Sequence, residues 1–323
     1  MHKGARVRAS SLILLLTVGC SGQLSGSGPA PPPPPPVDSG AEPGSDAGET
    51  LGWDAGPRAA PDAGSPPSID RPGDRVECFD FPVQQPVPAG AGMGDVLPDI
   101  VSHLPADYGS TYYDSDRITW AHETSHGIHA HLRNYFNDTG RRANAFYVTE
   151  DRACLVAEPN IRKSDVAAYV PASLHGSRFE LYITGQIEWD DTPLYVWDEW
   201  SSYVNGGATG VDLVERGLWG SEWRDGVAGQ LEFTIYAIAV AMAVEELDPA
   251  YFARETQFKE FLAFEARRAM DLYRRGARAE VFAWDEQDSY YRAIRTSPDA
   301  AQLRAFVVRV FGATFARELF EID

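Results

Sequence analysis

The chain is short of positive charge. Against 47 aspartates and glutamates it carries 28 lysines and arginines, a formal balance of −19. Nucleic-acid binding needs a basic footprint, so that class of partner is excluded. Long apolar runs are missing as well. The stretches 12–18 and 235–244 are both too short to span a bilayer, and the second reads as a buried core helix. No glycine-rich phosphate loop and no nucleophile elbow occurs, which removes nucleotide and serine-hydrolase chemistry. Cysteine is scarce, at Cys20, Cys78 and Cys154 only.

What is present begins with a targeting segment. Lys3, Arg6 and Arg8 precede the apolar run, and Thr17-Val18-Gly19-Cys20 follows it. This resembles the lipobox of bacterial lipoproteins, in which the peptide is cut before a cysteine that then carries lipid. Thr17 stands where leucine is usual, with Leu16 beside it. The resemblance implies a signal peptide over 1–19, export, and a membrane anchor through Cys20. Ser21 after the cysteine, rather than aspartate, points to the outer membrane or cell surface over the inner membrane. An ordinary secretory signal cut nearby is the alternative. With Cys20 lipidated, Cys78 and Cys154 in an exported protein suggest one disulfide.

Residues 20–72 read as a disordered linker. Six consecutive prolines occupy 31–36, and Asp-Ala-Gly recurs at 46, 54 and 62. Such a stretch has too few apolar residues to offset its ordering entropy. The folded domain is then 73–323, enough for one large core or two lobes around a cleft. An extended entry segment is expected over 76–87 and a short helix over 95–104. Short strands are expected at 145–148 and 153–156, with two more β-like runs at 167–170 and 178–184. Thr192-Pro193 signals a helix start, and Asn205-Gly206-Gly207 its end. Further helices are expected over 226–247, from Asp248-Pro249 to Gly276, and from Ser297-Pro298 to about Phe320. The class is α+β with helices dominant and a small sheet beside the helix described next.

That helix is expected over about 116–136, capped by Asp114 or Ser115 and stopped by Asn137-Asp138-Thr139-Gly140. It holds His122-Glu123-Thr124-Ser125-His126, an H-E-x-x-H sequence. Histidines four apart share one helical face and can reach one metal ion. Ala121 and Gly127 flank the motif and allow close packing behind it. His129 shares the face but lies about 10 Å along the axis from His122. It reads as a group that orients the ligands, as does Asn134, while His131 points elsewhere. A third protein ligand is needed. His103 and His175 have no motif around them. Glu199 lies at the edge of an apolar stripe formed by Val196, Trp200, Tyr203 and Val204. A carboxylate so placed faces inward and needs a partner. Asp198 and Glu188 compete with it.

In His122, Glu123, His126 and, downstream, Glu199, the chain resembles the gluzincin group of zinc metallopeptidases. The metzincin pattern fails, because His129 and Leu132 stand where its glycine and third histidine belong. The gap from His126 to Glu199 is longer than in thermolysin-like members and their motifs around the third ligand are absent. The largely helical tail is similar to the lethal-factor branch at fold level only. The resemblance implies a zincin-like domain over 73–323 that binds Zn2+ and cleaves a protein or peptide substrate. In it Glu123 is the general base, and a tyrosine stabilises the oxyanion. Tyr203, one turn beyond Glu199, is the first candidate, with Tyr195 and Tyr182 as alternatives. A non-catalytic zinc-containing scaffold lipoprotein and a zinc amidase acting on cell-wall peptides are the competing readings. The base Glu123 argues against the scaffold.

Overall fold

A computed structural model describes residues 71–87, 90, 92–106 and 115–321. Cys20, the signal segment and nearly all of the expected linker lie outside them. Within the described residues the fold is α+β, dominated by helices. The elements are β1 (Cys78–Asp80), α1 (Val96–Ser102), α2 (Arg117–Tyr135), β2 (Ala143–Tyr147), β3 (Arg152–Ala157), α3 (Tyr195–Glu215) and α4 (Ala228–Leu247). The tail adds α5 (Pro249–Arg254), α6 (Thr256–Gly276), α7 (Gln287–Thr296), α8 (Ala301–Phe311) and α9 (Ala313–Phe320). At the expected boundary, Gly73 N donates to Glu260 on α6 at 2.6 Å.

The sheet is small, antiparallel and ordered β1-β3-β2. Cys78 faces Cys154 across β1 and β3, and the two form a disulfide. The sheet lies beside α2, where the Arg133 Nη1 donates to Asn144 Oδ1 at 2.8 Å and the His129 and Phe146 rings meet edge to face. One apolar cluster fills the space between α1, α2 and the sheet, with Leu97, Ile100, Ala121, Ile128 and Leu132. A larger one is centred on α4, whose side chains are almost all buried. Among the described residues α4 is the one helix long and apolar enough to cross a membrane, and it is packed inside the protein. Each fully buried Val, Leu or Ile there contributes roughly 1.5–3 kcal/mol.

α2 forms because Ile118, Ala121, Ser125, Ile128 and Leu132 recur at helical spacing on its buried face. Its cap is Asp116, not Asp114 or Ser115. Asp116 Oδ1 accepts from Ile118 N at 3.1 Å and from Thr119 N at 3.4 Å. Asp114 itself lies outside the described residues.

Several expected boundaries are corrected. α3 starts at Tyr195, two residues past Pro193, and it does not end at Asn205-Gly206-Gly207 but runs on to Glu215. The glycines serve contact rather than termination. A Cβ on Gly206 would meet Ile118 O at 3.0 Å and His122 Cβ at 3.4 Å. Small residues there bring α3 against α2. The runs 167–170 and 178–184 are not strands. The first lies in a 3-10 helix (Lys163–Tyr169) opened by Arg162 N donating to Asp165. The second is a π-turn (Glu180–Thr184). Buried Lys163 donates from Nζ to Tyr182 O, Ile183 O and Gly185 O, taking carbonyls that a sheet partner would need. The helix from Pro249 breaks at Glu255, and the last one starts at Ala301 and breaks at Gly312, whose φ of 88° no α-helix accommodates.

Candidate metal centre

The α2–α3 contact brings His122, His126 and Glu199 together. His122 Nε2 and His126 Nε2 are 3.1 Å apart. Glu199 Oε2 lies 3.6 Å from the first and 3.4 Å from the second. Ligand atoms of a tetrahedral zinc with bonds of about 2.0–2.1 Å are about 3.4 Å from one another. The triangle therefore has the spacing of three ligands around one small ion.

The surroundings fix each donor. His126 Nδ1 donates to Asp198 Oδ1 at 2.8 Å, so in the neutral ring it is the Nε2 lone pair that faces the triangle. Asp198 thus sits behind His126, on the side away from the triangle, and forms a further candidate group with His126 and His129. It also accepts from His129 Nδ1 at 2.8 Å and from Arg133. Tyr195 OH donates to Glu199 Oε1, so that Oε2 alone faces the histidines. That oxygen is buried and has no hydrogen-bond partner. A buried carboxylate oxygen is costly unless something positive meets it, and here its nearest neighbours are the two Nε2 atoms.

The electrostatics agree. Burial alone would push the Glu199 carboxyl up, but the His126 and His122 imidazoles outweigh it and bring it to about 2. Burial works against charge on His126 too, yet Glu199 and Asp198 hold its pKa well above the ordinary value. His129 is pushed down by burial and favours the neutral ring. The residues present suit a divalent cation: two imidazoles, one ionised carboxylate, and a carboxylate bracing one imidazole from behind.

Glu123 is half-buried and makes no hydrogen bond or ion pair among the described residues. Tyr203 sets its ring edge-on to His122, with centroids 4.6 Å apart. Its hydroxyl is 3.3 Å from that of Tyr182. Tyr195 is engaged by Glu199, so the free phenolic pair beside the site is Tyr182 and Tyr203. Glu188 is exposed on a separate turn and His175 is exposed beside Phe179, so neither joins the triangle. His131 stacks near Tyr135 at the far end of α2.

Asn134 is corrected. It is exposed, and the side chain that reaches from this turn of α2 to Asp198 is Arg133. The signal for Arg133 was available, since it follows His129 by four residues on one helical face. Arg178, discussed below, left no such signal.

A second histidine and carboxylate cluster joins Asp99, His103 and Asp151. No protein-family model, curated protein or solved structure matches this chain.

Proposed function

We propose that this protein is a zinc-dependent peptidase of gluzincin type, held at a bacterial membrane by lipid on Cys20. The observation that carries the reading is the triangle of His122 Nε2, His126 Nε2 and Glu199 Oε2 at ligand spacing, with Glu199 Oε2 lacking any other partner. A zinc ion held there would supply a Lewis acid and lower the pKa of water toward neutrality. His122, His126 and Glu199 are its protein ligands. Asp198 keeps His126 in the tautomer that presents Nε2, and His129 and Arg133 keep Asp198 in place.

Glu123 acts as general base. Its carboxylate takes one proton from the attacking water as the water oxygen bonds to the peptide carbonyl carbon. The same proton then passes to the departing amine as the C–N bond breaks. The Tyr182–Tyr203 hydroxyl pair donates to the carbonyl oxygen as it gains negative charge. A free carboxylate next to the first histidine has no use in a purely structural zinc site.

The test uses the full chain loaded with zinc and a quenched fluorescent peptide library. Glu123→Ala is expected to lower hydrolysis by about 10³-fold and to keep its zinc. Unchanged hydrolysis in that variant would remove the proposed base. A zinc-loaded wild type that leaves every library pool uncut would remove the peptidase reading.

A further inference from the structure

Arg178 is nowhere near the metal-site sequence motif, yet it touches both tyrosines beside the triangle. Its backbone carbonyl accepts from Tyr182 N at 3.0 Å, opening the π-turn that carries Tyr182. Its guanidinium carbon lies 5.1 Å from the centre of the Tyr203 ring. The ring is also packed against α4. A Cβ on Gly229 of α4 would stand 2.4 Å from Tyr203 Cδ1, so only glycine leaves it room.

The guanidinium is held rigidly. Nη1 donates to Glu232 Oε1 at 3.0 Å, and Nη2 to Asp225 Oδ2 at 2.5 Å. Arg178 N donates to Glu232 Oε2 at 3.0 Å, where Tyr236 OH also donates at 3.1 Å. Glu232 is wholly buried on α4. Two helices therefore meet at one cation, α3 through Tyr203 and α4 through Glu232, while the same residue's backbone carbonyl holds the turn that carries Tyr182. A buried ion pair of this kind is weak evidence for stability alone, because well-packed apolar side chains of similar volume do as well. Its placement over a phenol ring is what needs explaining.

A cation above an aromatic face draws on its electrons and favours hydrogen-bond donation from the phenol. A donor–acceptor chain strengthens the outermost donor further. We propose that Arg178 is a positioning residue that fixes and polarises the Tyr182–Tyr203 hydroxyl pair as the donor to an oxyanion at the metal centre. This rests on the metal and oxyanion roles proposed above.

The test measures inorganic phosphate, a tetrahedral oxyanion, binding to the zinc-loaded full chain by calorimetry. Arg178→Met alone strands Glu232, so the working variant is Arg178→Met with Glu232→Gln, which leaves the net charge unchanged. Arg178→Lys serves as the conservative partner. With zinc retained, the double variant is expected to bind phosphate about 10-fold more weakly, and Arg178→Lys to recover part of that. In a Tyr182→Phe, Tyr203→Phe background the same change is expected to have no further effect, since coupled groups are not additive. Phosphate affinity equal to wild type overturns the inference and leaves the metal site standing. So does a full loss in the Phe background, which would mean that Arg178 acts directly on the anion or only on the fold. A wild type that binds no zinc removes the metal reading, and this inference falls with it.

Discussion

Two clusters of histidine and carboxylate, one on α2 and α3 and one at the end of α1, are built in opposite ways. In His122, His126 and Glu199 the donor atoms point at one another and at a common centre. In Asp99, His103 and Asp151 both ring nitrogens of the histidine are already engaged. His103 Nδ1 is 2.6 Å from Asp99 O and 2.8 Å from Tyr147 OH, and its Nε2 is 2.8 Å from Asp151 Oδ1. The two carboxylates flank opposite nitrogens of one ring. This second cluster closes the β2–β3 turn, where Thr149, Glu150 and Asp151 all have positive φ. Left-handed conformations at non-glycine residues cost of order 1–3 kcal/mol each and need such support. Proximity of ligand-type residues alone therefore does not separate the two clusters; the direction of their donor atoms does.

A second pair of carboxylates makes the same point. Glu199 and Glu158 each keep one buried oxygen without a partner. Beside two imidazoles, Glu199 is brought down to about 2. Glu158 has no such neighbours. Burial pushes it up to about 8, against the hydrogen bond it accepts from Leu194 N at 3.1 Å and the nearby Arg142. Glu199 is charged and faces two imidazoles; Glu158 stays protonated.

The contrast can be broken in four places. Glu199→Ala should have the largest effect, weakening zinc binding by 100-fold or more, roughly the loss of one of three ligands, while His103→Ala leaves zinc binding unchanged. Competition with a chelating dye reads both. Asp198→Asn should weaken zinc by about 10–100-fold, because the carboxylate behind a ligating histidine is lost. The same dye titration at fixed pH shows it, and an unchanged affinity would make Asp198 a bystander. His103→Ala should instead lower stability by about 1–3 kcal/mol, the cost of leaving buried polar partners unpaired, as read by urea unfolding of the metal-free protein.

The last effect is in pH dependence. For Glu158 the folded-state value of about 8 lies above the ordinary 4.5, so the folded protein holds the extra proton. Its favourable contribution is complete below pH 4.5 and is lost as pH rises toward 8. The slope is at most about 1.4 kcal/mol per pH unit. Glu158→Gln should flatten the fall in Tm across that window. A Tm profile with the same slope in both proteins would contradict this assignment.

Much of the centre was legible in sequence because helical spacing is local. His122 and His126 share a face by arithmetic alone, and Glu199 follows from its place on the apolar stripe of α3. The α+β class followed from periodicity in the same way. Contacts made across space were not legible. Gly206 looked like a helix stop because propensity records the cost of glycine and not the Ile118 carbonyl it lies against. The run 178–184 looked like a strand because nothing local shows that Lys163 takes its carbonyls. Asp198 looked like a rival ligand to Glu199, and only the direction of its side chain separates the two roles. Arg178 carried no pattern at all, since its meaning depends on Tyr203, Glu232 and Asp225 from other elements.

The most direct test of the central claim is the zinc content of the purified full chain and of its Glu199→Ala variant after dialysis against trace zinc, measured by mass spectrometry of the metal. The account predicts about one zinc per wild-type chain and little in the variant. A wild type without metal, or a variant that holds as much as the wild type, would contradict it.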